Sequence, residues 1–150
     1  MITFQVEQWP DCVAEMRPLW PEHWAELALD RETIDLACDE AKYEQGDAVG
    51  CLHIVTARYE GHLIGYYYGM LMNHLHYKNA GLMCYSDVYF LKPGFRKGSN
   101  GVRFLMAIQE SLKARGVVKL YISTKAHQDH GRLFEHMGMK CSDRVFTKML

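Results

Sequence analysis

Pro-Gly-Phe-Arg-Lys-Gly-Ser-Asn-Gly, residues 93–101, follows an apolar run at 88–91 and precedes a stretch with helical periodicity. Two cationic residues and three glycines are crowded into these nine residues, at a predicted strand-to-helix junction. Such a junction presents unpaired backbone amides at the positive end of the helix dipole, which suits an anion. The same composition also fits an ordinary exposed turn, so this stretch alone leaves both interpretations open.

The composition predicts a single globular domain over residues 1–150. The chain is 49% hydrophobic and 23% charged, and it contains no low-complexity segment or internal repeat. A chain of this length buries roughly two thirds of its unfolded surface, enough for one core. Its net charge of −1 lacks the basic excess that phosphate-backbone binding requires, so nucleic acid is a disfavoured partner.

The cysteines and the absence of targeting patterns bear on the compartment. The five cysteines are an odd number and include no Cys-x-x-Cys pair. The sequence shows neither a signal-peptide pattern nor a long apolar span. We therefore expect a reduced, cytoplasmic protein with no membrane partner.

Hydrophobic periodicity predicts an α/β fold with the element order β-αα-βββ-α-β-α-β. Pro18 and Pro21 divide the helical stretch at 11–44 into two helices, because proline lacks an amide donor. Glu60-Gly61 predicts the tight turn of a hairpin within 51–71. The other predicted elements are strands at 2–6, 81–91, 117–124 and 144–150 and helices at 100–115 and 127–137. This order predicts a mixed, mostly antiparallel central sheet flanked by helices, with 81–91 and 117–124 parallel.

Three motifs resemble those of the GNAT N-acetyltransferase superfamily, and they occur in the same order. Glu-Gly-His-Leu-Ile-Gly-Tyr (60–66) is similar to a hairpin motif of that family. Residues 91–101 are similar to its strand-loop-helix motif, and Arg-Leu-Phe-Glu-His-Met-Gly-Met (132–139) is similar to its closing motif. The resemblance implies a GNAT-like domain across the whole chain.

Within the central motif, most signature positions are filled. Pro93 and Phe95 occupy the proline and aromatic positions, Arg96 is the leading arginine, and Gly101 is the last glycine. Ser99 stands where a middle glycine is usual. Serine is small and carries a hydroxyl donor, so this change weakens the motif without breaking it.

The resemblance implies that the protein binds acetyl-CoA as a co-substrate, without a metal. In this family the diphosphate of the coenzyme rests on the loop amides, and its pantetheine chain pairs with a splayed strand. The family often has a polar residue at the position of His127, which implies a coenzyme contact there. The implied cofactor-binding residues are Leu91, Arg96, Lys97, Gly98, Ser99, Asn100, Gly101, Val102 and His127.

Acetyl transfer to an amine needs a base and a proton source for the departing thiolate. Asp87 is a carboxylate in an otherwise apolar strand, where many family members carry a base, and Tyr85 is the second predicted catalytic residue. Strand alternation predicts that Tyr85, Asp87 and Tyr89 share one face. The family's usual proton donor is a tyrosine, but Phe134 occupies that position. Tyr85, Tyr89, Ser123 or His127 could replace it, the thiolate could leave without an acid, or the protein could be catalytically silent.

The acceptor side is predicted from charge and aromatic content. Glu22 and His23 lie in the broken helical segment and His76 ends the long middle strand, and both regions approach the acceptor cleft in this fold. Such a mixture suits an amine, either a small molecule or a protein.

No metal motif accompanies the eight histidines, so no metal site is predicted. The predicted strand at 144–150 would allow a homodimer.

The function predicted from the sequence is therefore acetyl-CoA-dependent N-acetyl transfer to an unidentified amine. The alternative is a catalytically silent fold that binds coenzyme A or a protein partner.

Overall fold

A computed structural model describes residues 1–150 and contains one five-stranded sheet. The strands follow one another in sequence order across the sheet, with the first three pairs antiparallel and the last pair parallel. The predicted mixed, mostly antiparallel α/β sheet is confirmed. The strands are β1 (Ile2–Glu7), β2 (Leu52–Tyr59), β3 (His62–Asn73), β4 (Leu82–Leu91) and β5 (Val117–Tyr121).

The turn between β2 and β3 is the predicted Glu60-Gly61 hairpin. Both residues have positive φ, 51° at Glu60 and 83° at Gly61. A two-residue turn with two positive φ angles matches the right-handed twist of the flanking strands. Residues 60–66 therefore form the hairpin that the sequence predicted.

Three α-helices, rather than the two predicted, separate β1 from β2. They are α1 (Trp9–Met16), α2 (Trp20–Leu27) and α3 (Glu40–Ala48), with a short 3-10 turn at Arg17–Leu19. Pro18 and Pro21 mark the break between α1 and α2, as predicted. Residues 28–39 form no helix, and Asp39 then caps α3 by accepting a 3.2 Å hydrogen bond from the amide of Lys42.

Helices cover both faces of the sheet and create two apolar cores. One face packs against α4 (Asn100–Ala114) and the short α5 (Gly131–His136), and its core includes Tyr67, Phe104 and Phe134. The other face packs against α1, with Trp9, Tyr66 and Phe90 in its core. None of the helices combines the length and apolar character that a membrane span requires.

The parallel pairing of β4 with β5 is short. Only the first half of β4, through Tyr85, pairs with β5, where Tyr85 lies opposite Tyr121. Residues 86–91 of β4 have no strand partner on that side. The two strands therefore separate toward the carboxyl end of β4, next to the loop at 93–101.

Two predictions near the end of the chain are wrong. The last predicted strand, 144–150, does not form, because residues 141–150 are all exposed and no neighbouring strand pairs with them. Val145 and Phe146 remain 88% and 90% exposed, so local β-propensity finds no sheet to join. The helix predicted at 127–137 begins only at Gly131, because the Thr124 hydroxyl bonds the backbone at Gln128 and His130 and closes a turn.

Candidate active site

A β-bulge in β4 is the first feature of the candidate active site. Tyr68 of β3 pairs with Val88 and Gly69 pairs with Ser86, so Asp87 is an extra residue on β4. The hydroxyl of Tyr67 lies 2.9 Å from the hydroxyl of Ser86, just before the bulge. It also lies 3.2 Å from the sulfur of Cys84.

The bulge changes which way Asp87 faces. Its carboxylate is exposed and accepts a hydrogen bond from the hydroxyl of Tyr43, which packs against the α1 side of the sheet. Tyr89 instead stacks on Phe104 of α4, on the opposite side. The prediction that Asp87 and Tyr89 share a face is therefore wrong. Burial raises the pKa of Tyr43 and Asp87 raises it further, so Tyr43 stays protonated and donates to the carboxylate.

A pocket of about 240 Å³ lies where β4 has left β5. It is bounded by the end of β4, the loop and first turn of α4, the end of α2, and the start of α5. Its lining residues are Glu26, Leu27, Tyr89, Phe90, Leu91, Arg96, Gly98, Gly101, Val102, His130 and Leu133.

The loop beside this pocket carries a set of backbone amides with no acceptor in the protein. Gly98 adopts a positive φ of 58°, which turns the chain into α4. The first intrahelical bond runs from the amide of Arg103 to the carbonyl of Ser99. The amides of Lys97, Gly98, Ser99, Gly101 and Val102 donate to no protein atom, and no side chain caps the helix. Unpaired amides at the N-terminus of a helix are donors of the kind that can bind an oxyanion.

Arg96 is held by an ion pair that spans the pocket. Its guanidinium pairs with both carboxylate oxygens of Glu26, with Nη2 and Oε2 2.6 Å apart. Its Nε donates to the carbonyl of Leu91 at 2.5 Å, and Gln128 Nε2 donates to Glu26 at 2.7 Å. The Arg96 guanidinium holds the pKa of Glu26 below its usual range. This network joins α2, the loop and the segment after β5 around the pocket.

Comparison with solved structures gives matches along the whole chain. The ribosomal-protein-alanine N-acetyltransferase of Brucella melitensis biovar Abortus 2308 is 15% identical, with a TM-score of 0.72 over 100% of this chain and 99% of that one. A predicted acetyltransferase with acetyl-CoA from Clostridium acetobutylicum is 12% identical, with a TM-score of 0.71 over 99% and 96%. A protein described as a transcriptional regulator, from Bacillus halodurans C-125, is 15% identical, with a TM-score of 0.77 over 100% of both chains.

The chain has the GNAT acetyltransferase fold. No family model matches the sequence, and no curated protein matches it. The similarity at these identities is therefore one of fold, and it agrees with the resemblance carried by the three motifs.

The GNAT fold brings most, but not all, of the predicted cofactor residues to the pocket. Five of them line it, namely Leu91, Arg96, Gly98, Gly101 and Val102. Lys97 and Ser99 do not line it, although their amides have no acceptor in the protein, and the Asn100 side chain donates to the carbonyl of Phe95 at 3.0 Å and so braces the loop. His127 is exposed and does not line the pocket; His130 does.

The predicted acceptor residues are dispersed around the GNAT fold. His23 is buried, stacks on the pocket residue Phe90 at 4.8 Å, and has Nδ1 3.0 Å from the hydroxyl of Tyr66. Burial lowers the pKa of His23 to about 4. Glu22 is exposed on α2. The prediction that His76 ends the middle strand is wrong, because β3 ends at Asn73 and His76 is exposed in the loop that follows, beside His74. No three histidine, cysteine, aspartate or glutamate side chains converge as a metal site would require.

The structure also places Tyr85, a predicted catalytic residue, and Phe134, which occupies the position of the family's usual tyrosine. Tyr85 stacks on Tyr121 with ring centroids 4.6 Å apart, at the last paired position before the strands separate. Phe134 is buried in the core on the α4 side and does not line the pocket.

Sequence reasoning missed Glu26, Tyr43 and His130. Glu26 follows His23 by three residues, so it lies on a neighbouring face of the same helix, which is a signal that was available. Tyr43 lies 44 residues from its partner Asp87, and nothing local in the sequence indicates that contact.

Proposed function

We propose that the protein is an acetyl-CoA-dependent N-acetyltransferase that transfers an acetyl group directly to an amine. The observation that carries this proposal is the set of five amides without acceptors at the start of α4, beside a pocket where two strands separate. Two structural neighbours support it, since one is named an N-acetyltransferase and the other is described with acetyl-CoA.

The loop residues are proposed to hold the diphosphate of acetyl-CoA. The amides of Lys97, Gly98, Ser99, Gly101 and Val102 supply donors, and the helix dipole adds a favourable field. An ideal Cβ at Gly101 would lie 3.7 Å from the Tyr89 hydroxyl, so the missing side chain leaves this part of the pocket open. The residues present therefore fit the coenzyme, which supplies an activated acetyl thioester.

Side-chain hydrogen bonds from Arg96 and Asn100 hold the loop at 93–101 in place. Arg96 is proposed to position the loop, because its guanidinium bonds Glu26 and Leu91. Asn100 fixes the turn through Phe95. His127 remains a proposed outer contact of the coenzyme; it is exposed near the pocket residue His130.

Asp87 is proposed to accept the proton of the attacking amine, directly or through water. It is exposed in the separated part of β4, and the hydroxyl of Tyr43 orients its carboxylate. Positioning of the amine against the thioester supplies much of the rate acceleration. Tyr85 or another hydroxyl would then serve the departing thiolate.

The acceptor is proposed to be an amine on a small molecule or a protein, encountered in the cytoplasm. His23, next to the pocket wall at Phe90, and Glu22, on the same helix, are the proposed acceptor contacts on α2. His76 is the proposed contact from the β3–β4 loop.

The proposal is tested by measuring coenzyme A release from acetyl-CoA with a panel of amines and a lysine-rich peptide. Wild-type protein should release coenzyme A with at least one acceptor, and Gly101→Asp should bind acetyl-CoA poorly because it places a carboxylate beside the diphosphate. Gly101→Asn is the matched control of equal size without charge. Equal binding by wild type, Gly101→Asp and the double variant Arg96→Glu/Gly101→Asp would refute the site.

The alternative is a silent fold that binds coenzyme A or a protein partner. Phe134, buried and without a hydroxyl, favours it, as does the similarity to a protein described as a transcriptional regulator. Binding of acetyl-CoA without any release of coenzyme A would support this alternative.

A further inference from the structure

The pocket beside the loop contains one carboxylate, that of Glu26. Of its eleven lining residues, Glu26 is the only acidic one. The loop with the unpaired amides borders the same pocket, since Gly98 and Gly101 also line it. Like charges in a half-buried site repel each other, so a carboxylate opposes the binding of a diphosphate nearby. Glu26 is therefore the one lining residue whose charge opposes the proposed ligand.

Arg96 neutralises this carboxylate. Its guanidinium donates to both oxygens of Glu26, and Gln128 Nε2 donates to Oε1 at 2.7 Å. His23 and His130 are the other titratable groups that face Glu26. The hydrogen bond from Arg96 outweighs burial and holds the pKa of Glu26 below its ordinary value of 4.5. The carboxylate is therefore ionised at neutral pH.

The same carboxylate fastens the end of α2 to the far side of the pocket. Glu26 makes the only side-chain hydrogen bonds that join the last turn of α2 to the loop and to the segment after β5. Of the eight residues of α2, only His23 is buried, so packing holds the last turn weakly. Residues 29–39, which follow, are all exposed. The last turn of α2 can therefore leave the loop once the bonds of Glu26 are exchanged for others.

The rest of the loop does not depend on Glu26. Nε of Arg96 donates to the carbonyl of Leu91 at 2.5 Å, and Asn100 donates to the carbonyl of Phe95. Only Nη1 and Nη2 of Arg96 bond the carboxylate. Phosphate oxygens accept the same paired bonds from a guanidinium as a carboxylate does. The two Nη donors can therefore change partner while the guanidinium stays on the loop.

We propose that Glu26 sets the affinity for acetyl-CoA by competing with the coenzyme diphosphate for the guanidinium of Arg96. This inference rests on the proposed binding of the coenzyme at the loop. As the amides after Arg96 take up the diphosphate, Nη1 and Nη2 turn from the carboxylate to its oxygens. Glu26 then loses its cationic partner, and the last turn of α2 separates from the loop. A residue that merely braced the loop would have the opposite effect and would strengthen coenzyme binding.

Glu26→Gln is the deciding variant, measured by isothermal titration calorimetry with acetyl-CoA. Glutamine keeps the size of the side chain and one acceptor oxygen, so the fold should be unchanged, which melting temperature checks. The Kd should fall about tenfold, the size of one charge-assisted hydrogen bond regained by the ligand. Glu44→Gln is the matched control for net charge, because Glu44 is exposed on α3 and lies outside the pocket. Its Kd should stay within about twofold of wild type, since salt screens a distant exposed charge.

Arg96→Gln removes the group for which the two anions compete. This variant should bind acetyl-CoA more weakly than wild type. Adding Glu26→Gln to Arg96→Gln should then produce little of the gain seen in wild type, because the two substitutions act on one interaction. An equal gain in both backgrounds would mean that Glu26 repels the diphosphate without competing for Arg96, and would overturn the inference.

A second readout follows the carboxyl carbon of Glu26 by NMR across a pH series. Arg96 holds the pKa of Glu26 down in the free protein, so the exchange of partners should raise that pKa in the complex with acetyl-CoA. A pKa of Glu26 that stayed the same or fell in the complex would show that the pair with Arg96 persists, which contradicts the competition. This titration uses wild-type protein, so it decides the matter even where a variant is unstable.

The outcomes separate the two proposals. If neither wild-type protein nor Glu26→Gln bound acetyl-CoA, the proposed function would fail and the role of Glu26 with it. If wild type bound acetyl-CoA and Glu26→Gln bound it equally well or more weakly, only the role of Glu26 would be overturned.

Discussion

Replacing Gly69 by alanine tests how β4 is held at its bulge. An ideal Cβ at Gly69 would lie 2.3 Å from the sulfur of Cys84 and 2.5 Å from the hydroxyl oxygen of Tyr67. Both side chains are fully buried, so neither can move into solvent. The new methyl group must therefore displace Cys84, or the hydroxyl that bonds Ser86.

The size of the effect follows from these contacts. Overpacking a core costs about 1–3 kcal/mol. A buried hydroxyl that loses its partners costs about 1–3 kcal/mol in addition. Alanine in place of glycine within a strand regains roughly 0.5–1 kcal/mol. Together these contributions predict that Gly69→Ala lowers the free energy of unfolding by about 1–5 kcal/mol.

Urea denaturation of wild type, Gly69→Ala and Gly94→Ala measures this difference. Gly94 is the matched control, because a Cβ there meets no atom within 4 Å, and its φ is not positive. We expect Gly94→Ala to stay within about 0.5 kcal/mol of wild type. An equally small change in Gly69→Ala, with an unchanged denaturant slope, would refute the tight contact that holds the bulge.

Two further predictions concern pH. Burial raises the pKa of Glu7, but hydrogen bonds, led by that from Arg58, outweigh burial and hold it below its ordinary value of 4.5. The resulting stabilisation is complete above the pKa of Glu7 in the unfolded chain. It is lost as the pH falls through the lower pKa of Glu7 in the folded protein. Between pH 6 and pH 3 the free energy of unfolding should thus depend less on pH in Glu7→Gln than in wild type. An equal pH dependence in the two proteins would contradict this role of Glu7. Burial also lowers the pKa of His23 and of His53 to about 4, from 6.5. Their ring resonances should stay mostly those of the neutral form down to pH 5, and a midpoint near 6.5 for either histidine would show that its ring is not buried.

Much of the fold was predictable because its signals are local. The Glu60-Gly61 turn, the helix that follows residues 93–101, and the parallel arrangement of β4 and β5 depend on short patterns of turn residues and apolar periodicity. The prediction of a strand at 144–150 was wrong, because a strand requires a neighbouring strand to pair with and a local sequence pattern does not show whether one is present.

The candidate site was predictable only in part, because the Glu26–Arg96 pair and the bulge at Asp87 depend on contacts between residues far apart in sequence. The loop glycines and Arg96 predicted an anion site, and the amides of this loop have no acceptor in the protein. Glu26 lies 70 residues from Arg96 in sequence, and only the folded chain brings the two together. The bulge at Asp87 arises where Tyr67 and Gly69 of the neighbouring strand meet Cys84 and Ser86, so strand alternation alone misassigned the faces of β4.

Chemical shift mapping of the backbone amides during a titration with acetyl-CoA tests the central claim most directly. The largest saturable shifts should fall on the amides of Lys97, Gly98, Ser99, Gly101 and Val102, because these donors have no acceptor in the protein. Inorganic pyrophosphate should perturb the same amides more weakly, since it shares only the diphosphate chemistry. Shifts that were absent, or that clustered away from the start of α4, would contradict coenzyme binding at this loop.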